Sequence, residues 1–303
     1  MKVLKWVGLA AIALLLILAI SFVVLLGPKD SSSTVGRVIK IEAGLGRAEV
    51  AEQLAEAGVI RSSFAFYVYS RLLGGKILPG SYEISPSQSG SVIAEILKTG
   101  RIKTTRITTI EGWRLTDMEK YLVDEKKLTQ FVGFAGMNQA DEGRLFPDTY
   151  EIAIDATSEA LAGLMKDNFT KRTEALKLTP EALILASIVE REAKTDEERP
   201  LIAAVYANRL KIKMKLQADP TIQYAKGNWK AITTADYSQV ISSYNTYLHD
   251  GLPPGPICNP GLKSIEAALS PSVHSYYFFF HAQGELYLSK TFEEHAAKVR
   301  RFF

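Results

Sequence analysis

A carboxylate stands at the end of an apolar run in ASIVEREA, residues 186–193, where Glu190 follows Leu183, Ile184, Leu185, Ala186, Ile188 and Val189 without an intervening charge. These spacings predict a helix buried over most of its circumference, with Glu190 at the edge of a core. A carboxyl that donates a proton near neutral pH needs its reference value of about 4.3 raised by roughly 2 to 3 units, and desolvation acts in that direction. Glutamates that follow such runs are more often the point where a helix meets solvent and pairs with a neighbour, here Arg191 or Lys194. Glu192 lies about 200° further round the helix, so the two glutamates cannot face one cleft.

Two segments beyond this helix are irregular and rich in side chains that recognise sugars: LQADPTIQYA at 216–225 and SYNTYLHDGLPPGPICNPG at 243–261. Four prolines and three glycines make the second a rigid, shaped loop, of the kind that lines binding clefts. Tyr224, Trp229, Tyr244 and Tyr247 offer flat apolar faces beside Gln217, Asn245 and Asn259, a mixture that stacks on sugar rings and bonds hydroxyls. The same residues could instead pack one long loop.

Other chemistries lack their central part. His249, His274, His281 and His295 have no HExxH or other compact ligand spacing, and one cysteine, Cys258, makes neither a thiolate zinc site nor an intrachain disulfide. There is no GxSxG elbow, Walker loop or dinucleotide fingerprint. No metal or cofactor is expected. A net charge of +3 without an aromatic-interleaved basic stripe argues against nucleic acid.

The elements that position these groups follow from the pattern. With 47% hydrophobic and 23% charged residues, 303 residues suffice for one or two ordinary cores. Residues 6–28 carry no charge and span about 34 Å as a helix, against a bilayer core of about 30 Å. Such a run exceeds a signal peptide's apolar region, and no lipid-accepting cysteine follows it. We therefore expect an uncleaved transmembrane helix, with Lys2 and Lys5 keeping residues 1–5 cytoplasmic and the remainder outside.

After a linker at 29–36, residues 37–101 read as a small α+β module. It contains a strand at 38–42, a helix ending near Gly58, a helix from Ser62 to Leu73, a Pro-Gly turn into a strand ending at Ile84, and a helix from Ser89 to Lys98 stopped by Gly100. A larger mixed unit, 104–303, begins with a β-branched run to Ile110 and the turn Glu111–Gly112. A helix follows with Thr116 and Glu119 as its capping box. Further on, Pro147 and Asp148 precede a strand, Thr179 and Pro180 start the helix that bears Glu190, and Pro200 starts the next, with Leu201, Val205 and Leu210 facing a core. The fold class is α+β throughout.

The motifs LFPDTY at 145–150, ASIVEREA at 186–193, ANRLKIKMKLQADPTIQYA at 207–225 and YNTYLHDGLPPGPICNPG at 244–261, behind an N-terminal anchor, closely resemble those of the YceG-like endolytic murein transglycosylases. The resemblance covers nearly all of the chain outside the apolar helix. It implies a LysM-like subdomain at residues 37–101 and a catalytic domain at 104–303, and it identifies Glu190 as the catalytic glutamate. The implied reaction cleaves the β-1,4 link between N-acetylmuramic acid and N-acetylglucosamine in peptidoglycan without a cofactor and closes a 1,6-anhydro ring. It further implies a bacterial inner-membrane enzyme that works on nascent strands beside the peptidoglycan synthases and terminates their elongation.

Candidates for holding the glycan are Asn208, Gln217, Asp219, Tyr224, Tyr244, Asn245 and Thr246, although Asn208, with Arg209, reads equally as a structural brace. Asp219 is the acid that a conventional two-carboxylate muramidase would use, and equally a helix cap before Pro220. Cys258 stands where the family leads us to expect Ala or Ser. A membrane-tethered scaffold that holds peptidoglycan without cutting it is the competing class.

Overall fold

The computed structural model describes residues 2–303 and divides into two compact units, one made of residues 1–105 and 151–156, the other of 106–150 and 157–303. The architecture is α+β, with three two-stranded sheets among helices in the described residues.

The first unit opens with α1 (Lys2–Leu26), a helix exposed over most of residues 5–25 and, from Lys5 to Leu26, long and apolar enough to cross a membrane. It stops two residues before the expected end, at Gly27 and Pro28. Strand β1 (Arg37–Ile41) pairs antiparallel with β2 (Gly80–Ile84), which sets Ile39 opposite Tyr82. Alternation along β1 turns Ile39 and Ile41 inward. There they meet Leu54 of α2 (Arg47–Glu56), Phe66 of α3 (Ser63–Leu73), and Ile93 and Leu97 of α4 (Gly90–Thr99). The predicted caps form: Ser62 Oγ accepts from the Ala65 N–H at 3.2 Å, Ser89 Oγ from the Val92 N–H at 3.3 Å, and Gly100 closes α4 in the left-handed conformation. Ala57 rather than Gly58 caps α2, and Gly58 follows at φ +67°.

Strand β3 (Thr104–Thr108) is shorter than its β-branched run and pairs with β4 (Thr149–Ala153). Residues 151–156, expected in the larger domain, group with the first unit, where Asp155 accepts from Ser81 Oγ at 2.7 Å.

In the second unit, α5 (Leu115–Lys120) begins a residue earlier than expected. Its box is Arg114 with Asp117, whose carboxylate accepts from the Arg114 backbone N–H at 3.0 Å, in place of Thr116 with Glu119. The Glu119 carboxylate instead accepts from the N–H groups of Gly133 and Ala135, at the start of the short α6 (Phe134–Met137). After α7 (Ser158–Thr173) comes α8 (Pro180–Glu192), capped as predicted by Thr179 Oγ1, which accepts from the Ala182 N–H at 3.2 Å. Helix α9 (Glu198–Lys211) starts two residues before Pro200, which fits within a first turn because its missing N–H has no intrahelical acceptor there.

The segment 216–225, expected to be irregular, contains α10 (Asp219–Ala225), for which Ala218 rather than Asp219 is the cap residue. The segment 243–261 is irregular, as predicted, and lies between the short α11 (Asp236–Gln239) and α12 (Leu262–Leu269). Strands β5 (Phe278–Ala282) and β6 (Glu285–Ser289) form a hairpin whose two turn residues, Gln283 and Gly284, both have positive φ, and α13 (Phe292–Val299) follows. Helices α9 and α12 pack on α8 and bury Leu185, Ile188, Val189, Ile202, Tyr206 and Ala267 in one core.

Candidate active site

Helix α8 is apolar on nearly every side because α9, α10 and α12 all contact it. Ser187, fully buried, supplies the polar exception. Its hydroxyl donates to the Ile184 carbonyl at 2.7 Å and accepts from the Ile257 N–H at 3.0 Å, while Cys258 Sγ donates to the Ser187 carbonyl at 3.3 Å. The end of the proline-rich loop is thereby clamped to the helix one turn before Glu190. Burial pushes the Cys258 thiol well up, and its role here is that of a small buried donor.

The clamp fixes Gly261, whose N–H donates to Glu190 Oε2 at 2.9 Å. Glu190 Oε1 accepts from Arg199 Nη1 at 3.1 Å, and the Glu190 side chain is 6% exposed. Burial matches the sequence expectation, but the uncharged surroundings do not. The cation comes from the first turn of α9 and was hidden in sequence by eight intervening residues. Arg199 also donates to Ser264 Oγ at 2.8 Å and to Asp196 Oδ1 at 3.2 Å, and Asp196 pairs with Lys263.

A second carboxylate stands at the same place. Glu111, which the sequence marks only as a turn residue, lies against Gly261 with its carboxylate 3.9 Å from Arg199 Nη2. Burial and the charge of Glu190 both raise its carboxyl, with Arg199 acting against them. The segment that carries it is held by Asn259. Gly112 N–H donates to the Asn259 carbonyl at 2.9 Å, and Asn259 N–H returns a bond to the Trp113 carbonyl at 2.8 Å. The Asn259 side chain accepts from Leu145 N–H at 2.9 Å and donates to Glu142 Oε1 at 3.0 Å. Asn259 is thus a buried hub and has no face for a sugar. Burial pushes Glu142 up to about 7, the Leu115 N–H and Arg114 opposing the shift.

Two grooves are formed by residues of this region, one of them bordered by Glu111. One, of about 480 Å³, is lined by Glu111, Pro147, Asp148, Asp196 and Lys263, among others. The other, of about 730 Å³, is lined by Arg114, Asp117, Glu142, Tyr224 and Trp229. The Trp229 indole N–H donates to Asp117 Oδ2 at 2.8 Å, and both Arg191 and Arg114 lie over its ring, 3.9 and 4.8 Å from the centroid. Tyr224 packs on Tyr244 with ring centroids 4.7 Å apart. A sequence signal for Glu111 did exist, since a charged residue on a β-to-α turn is where side chains meet clefts, but spacing could not connect it to position 190.

The remaining candidates separate. Glu192 belongs to a different cluster: it accepts from Tyr206 Oη at 2.7 Å, burial pushes it up to about 7, and Asp219 and Arg209 are its charged neighbours. Asp219 accepts from Tyr247 Oη at 2.6 Å and is a charged neighbour of Glu192. Asn245 and Thr246 are buried, and their polar atoms are used within the chain. Asn245 Nδ2 donates to the carbonyls of Tyr237 and Val240, and Thr246 Oγ1 accepts from Ala218 N–H. Asn208 donates to the carbonyls of His274 and Tyr276, and Arg209 to those of Tyr277 and Leu216, so both are braces between α9 and the hairpin. Gln217 is exposed at φ +47°. Of the candidates, Tyr224 lines a groove, and Tyr244 packs against its ring.

Comparison with known proteins converges on one family. The YceG-like family model matches residues 39–301. The endolytic murein transglycosylase of Bacillus subtilis (strain 168) is 32% identical over 305 residues, covering 88% of this chain and 84% of that protein. That of Streptococcus pneumoniae serotype 2 (strain D39 / NCTC 7466) is 27% identical over 326 residues, covering 90% of this chain and 59% of its own length. The crystal structure of a yceG-like protein from Listeria monocytogenes is 30% identical, aligns with 88% of this chain and all of that one, and gives a TM-score of 0.55. The chain therefore belongs to the YceG-like family.

Proposed function

We propose that this protein is a membrane-anchored endolytic lytic transglycosylase of peptidoglycan. The observation that carries the reading is Glu190, a carboxylate nearly closed off from solvent and held by Arg199 and the Gly261 N–H, in a chain whose relatives bear that activity in their names. Two proton transfers are required: one to the glycosidic oxygen as the bond to the muramyl anomeric carbon breaks, and one from the muramyl 6-hydroxyl as it closes the 1,6-anhydro ring. In the simplest scheme Glu190 performs both, as acid and then as base. The nucleophile is already part of the sugar, so its high effective concentration replaces a bound water. Tyr224, Tyr244 and Trp229 would stack on the glycan.

Helix α1 would anchor the enzyme with its N-terminus in the cytoplasm and confine cutting to strands near the membrane, beside the synthases, where cleavage ends glycan elongation. The small α+β unit would be the LysM-like subdomain. The test is digestion of isolated sacculi by the full chain in detergent, with products read by mass spectrometry. Wild type should release ends one water lighter than reducing ends, and Glu190→Gln should lower their rate by about 10² to 10⁴ while still binding sacculi. Reducing ends would establish a muramidase, and an unchanged rate in the variant would remove Glu190 from the chemistry.

A further inference from the structure

The Glu190 site contains a group that the one-carboxyl scheme does not use. Glu190 is 6% exposed and both its oxygens are engaged, one by Arg199 Nη1 and one by the Gly261 N–H. Glu111 is 51% exposed, borders the groove of about 480 Å³, and has Arg199 Nη2 at 3.9 Å, with Lys263 as a further cationic neighbour. One guanidinium thus faces two carboxylates through its two terminal nitrogens, and the two carboxylates flank one glycine. A Cβ at position 261 would collide with the Glu111 carboxylate. A side chain there is not excluded by the backbone, since Gly261 has φ −74° and ψ 166°. What the absence of a side chain preserves is the approach of Glu111.

We propose that Glu111 is the second catalytic carboxyl of the transglycosylation, donating the proton to the leaving oxygen while Glu190 acts as the base. The proposal rests on the transglycosylase reading above and divides its two proton transfers between two groups. The bond from the muramyl anomeric carbon to the glycosidic oxygen breaks, and that oxygen takes the Glu111 proton. The muramyl O6 bonds to the anomeric carbon, and its proton goes to Glu190. No water is consumed, and the carboxyls return to their starting states by exchange with solvent, which reaches Glu111.

The assignment follows from the surroundings. Two donors on Glu190 suit an anion that receives a proton. Glu111 faces Glu190 and Asp196 as well as Arg199 and Lys263, and burial and the adjacent anion favour its protonated form.

The experiment compares full-length wild type with Glu111→Gln, Gly261→Ala and Glu190→Gln in detergent. Each is assayed on sacculi and on a synthetic muramyl glycoside with a nitrophenolate leaving group, which departs without a proton. Glu111→Gln should lose about 10² or more on sacculi but less than about tenfold on the aryl glycoside. It should also lose the alkaline fall of the wild-type rate, which reports deprotonation of the acid. Glu190→Gln should lose activity on both substrates. Gly261→Ala keeps the N–H that holds Glu190 while displacing Glu111, so it should share the Glu111→Gln pattern, and it decides the matter if Glu111→Gln does not fold. Equal loss on both substrates, or a sacculus rate within threefold of wild type, overturns the role of Glu111 and leaves the Glu190 reading intact. Full activity of Glu190→Gln instead overturns the reading beneath it.

Discussion

The two units bury different things. The first packs Ile39, Ile41, Leu54, Phe66, Tyr82, Ile93 and Leu97 into an apolar core, and its buried polar residues are only Ser70 and Ser81 among those described. The second buries Arg114, Glu198, Arg209, Asn245 and Asn259 beside its hydrophobic clusters, and closes Glu190 against Arg199. An apolar core tolerates small readjustments, whereas a buried charge is tolerable only while its partner stays in place. Buried polar side chains that fix geometry are thus concentrated in the unit that carries the candidate site, whereas the core of the first unit is held by apolar packing. Stability and turnover should respond separately in the two places.

The strongest test is Arg199→Ala. It leaves Glu190 without its cation, so the second unit should lose about 3 to 5 kcal/mol in urea unfolding, and turnover should fall with it. A double-mutant cycle with Glu190→Gln should recover much of that stability, because the variant no longer buries an uncompensated charge. A smaller change, and one silent in turnover, is expected of Leu97→Ala. Truncating this fully buried side chain should lower the first unit's stability by about 2 to 5 kcal/mol, while the rate on soluble glycan fragments stays within twofold below the melting temperature. A drop in that rate would break the division between the units.

How legible each region was in sequence follows the same line. The Ser62 and Ser89 caps, the Gly100 stop and the alternation in β1 are local, and the chain's own periodicity sets them. Thr179 and Pro180 fixed the start of α8 in the same way. What remained hidden depends on pairs distant in sequence. Arg199 reaches Glu190 only because α9 folds back on α8, Asn259 binds Trp113 across 146 residues, and Glu111 meets Gly261 through that bond. The polar residues 245 and 246 looked like sugar ligands because composition cannot tell a loop's inner face from its outer one. Asp219 and Glu192 are near in space, yet periodicity could say only that Glu192 faces away from Glu190.

Glu192 offers the next, pH-dependent effect. Its folded-state value of about 7 lies above the ordinary glutamate value of 4.5, so between these pH values the folded chain keeps a proton that the unfolded chain has released. Stability therefore falls as pH rises through this window, and the penalty is fully present above pH 7. Glu192→Gln retains an acceptor for the Tyr206 hydroxyl and removes that fall. Urea titrations should show the variant gaining about 1 to 3 kcal/mol on wild type between pH 4.5 and pH 8. A parallel pair of pH profiles would mean that the cluster is neutralised by another group.

The smallest effect falls at the far end of the helix that bears Glu190. Thr179 Oγ1 satisfies the Ala182 N–H, and Thr179→Ala leaves that donor to solvent, for a loss of about 1 kcal/mol. Glu190 lies three turns away, where Ser187, the Ile257–Cys258 clamp and the Gly261 N–H hold the helix end independently of its start. Fraying of the first turn should thus lower the melting temperature by a few degrees and leave the rate and its pH profile unchanged. If the rate fell in step with stability, α8 would be a single lever whose start sets the carboxylate, and the polar clamp around residues 257–261 would not be what positions the site.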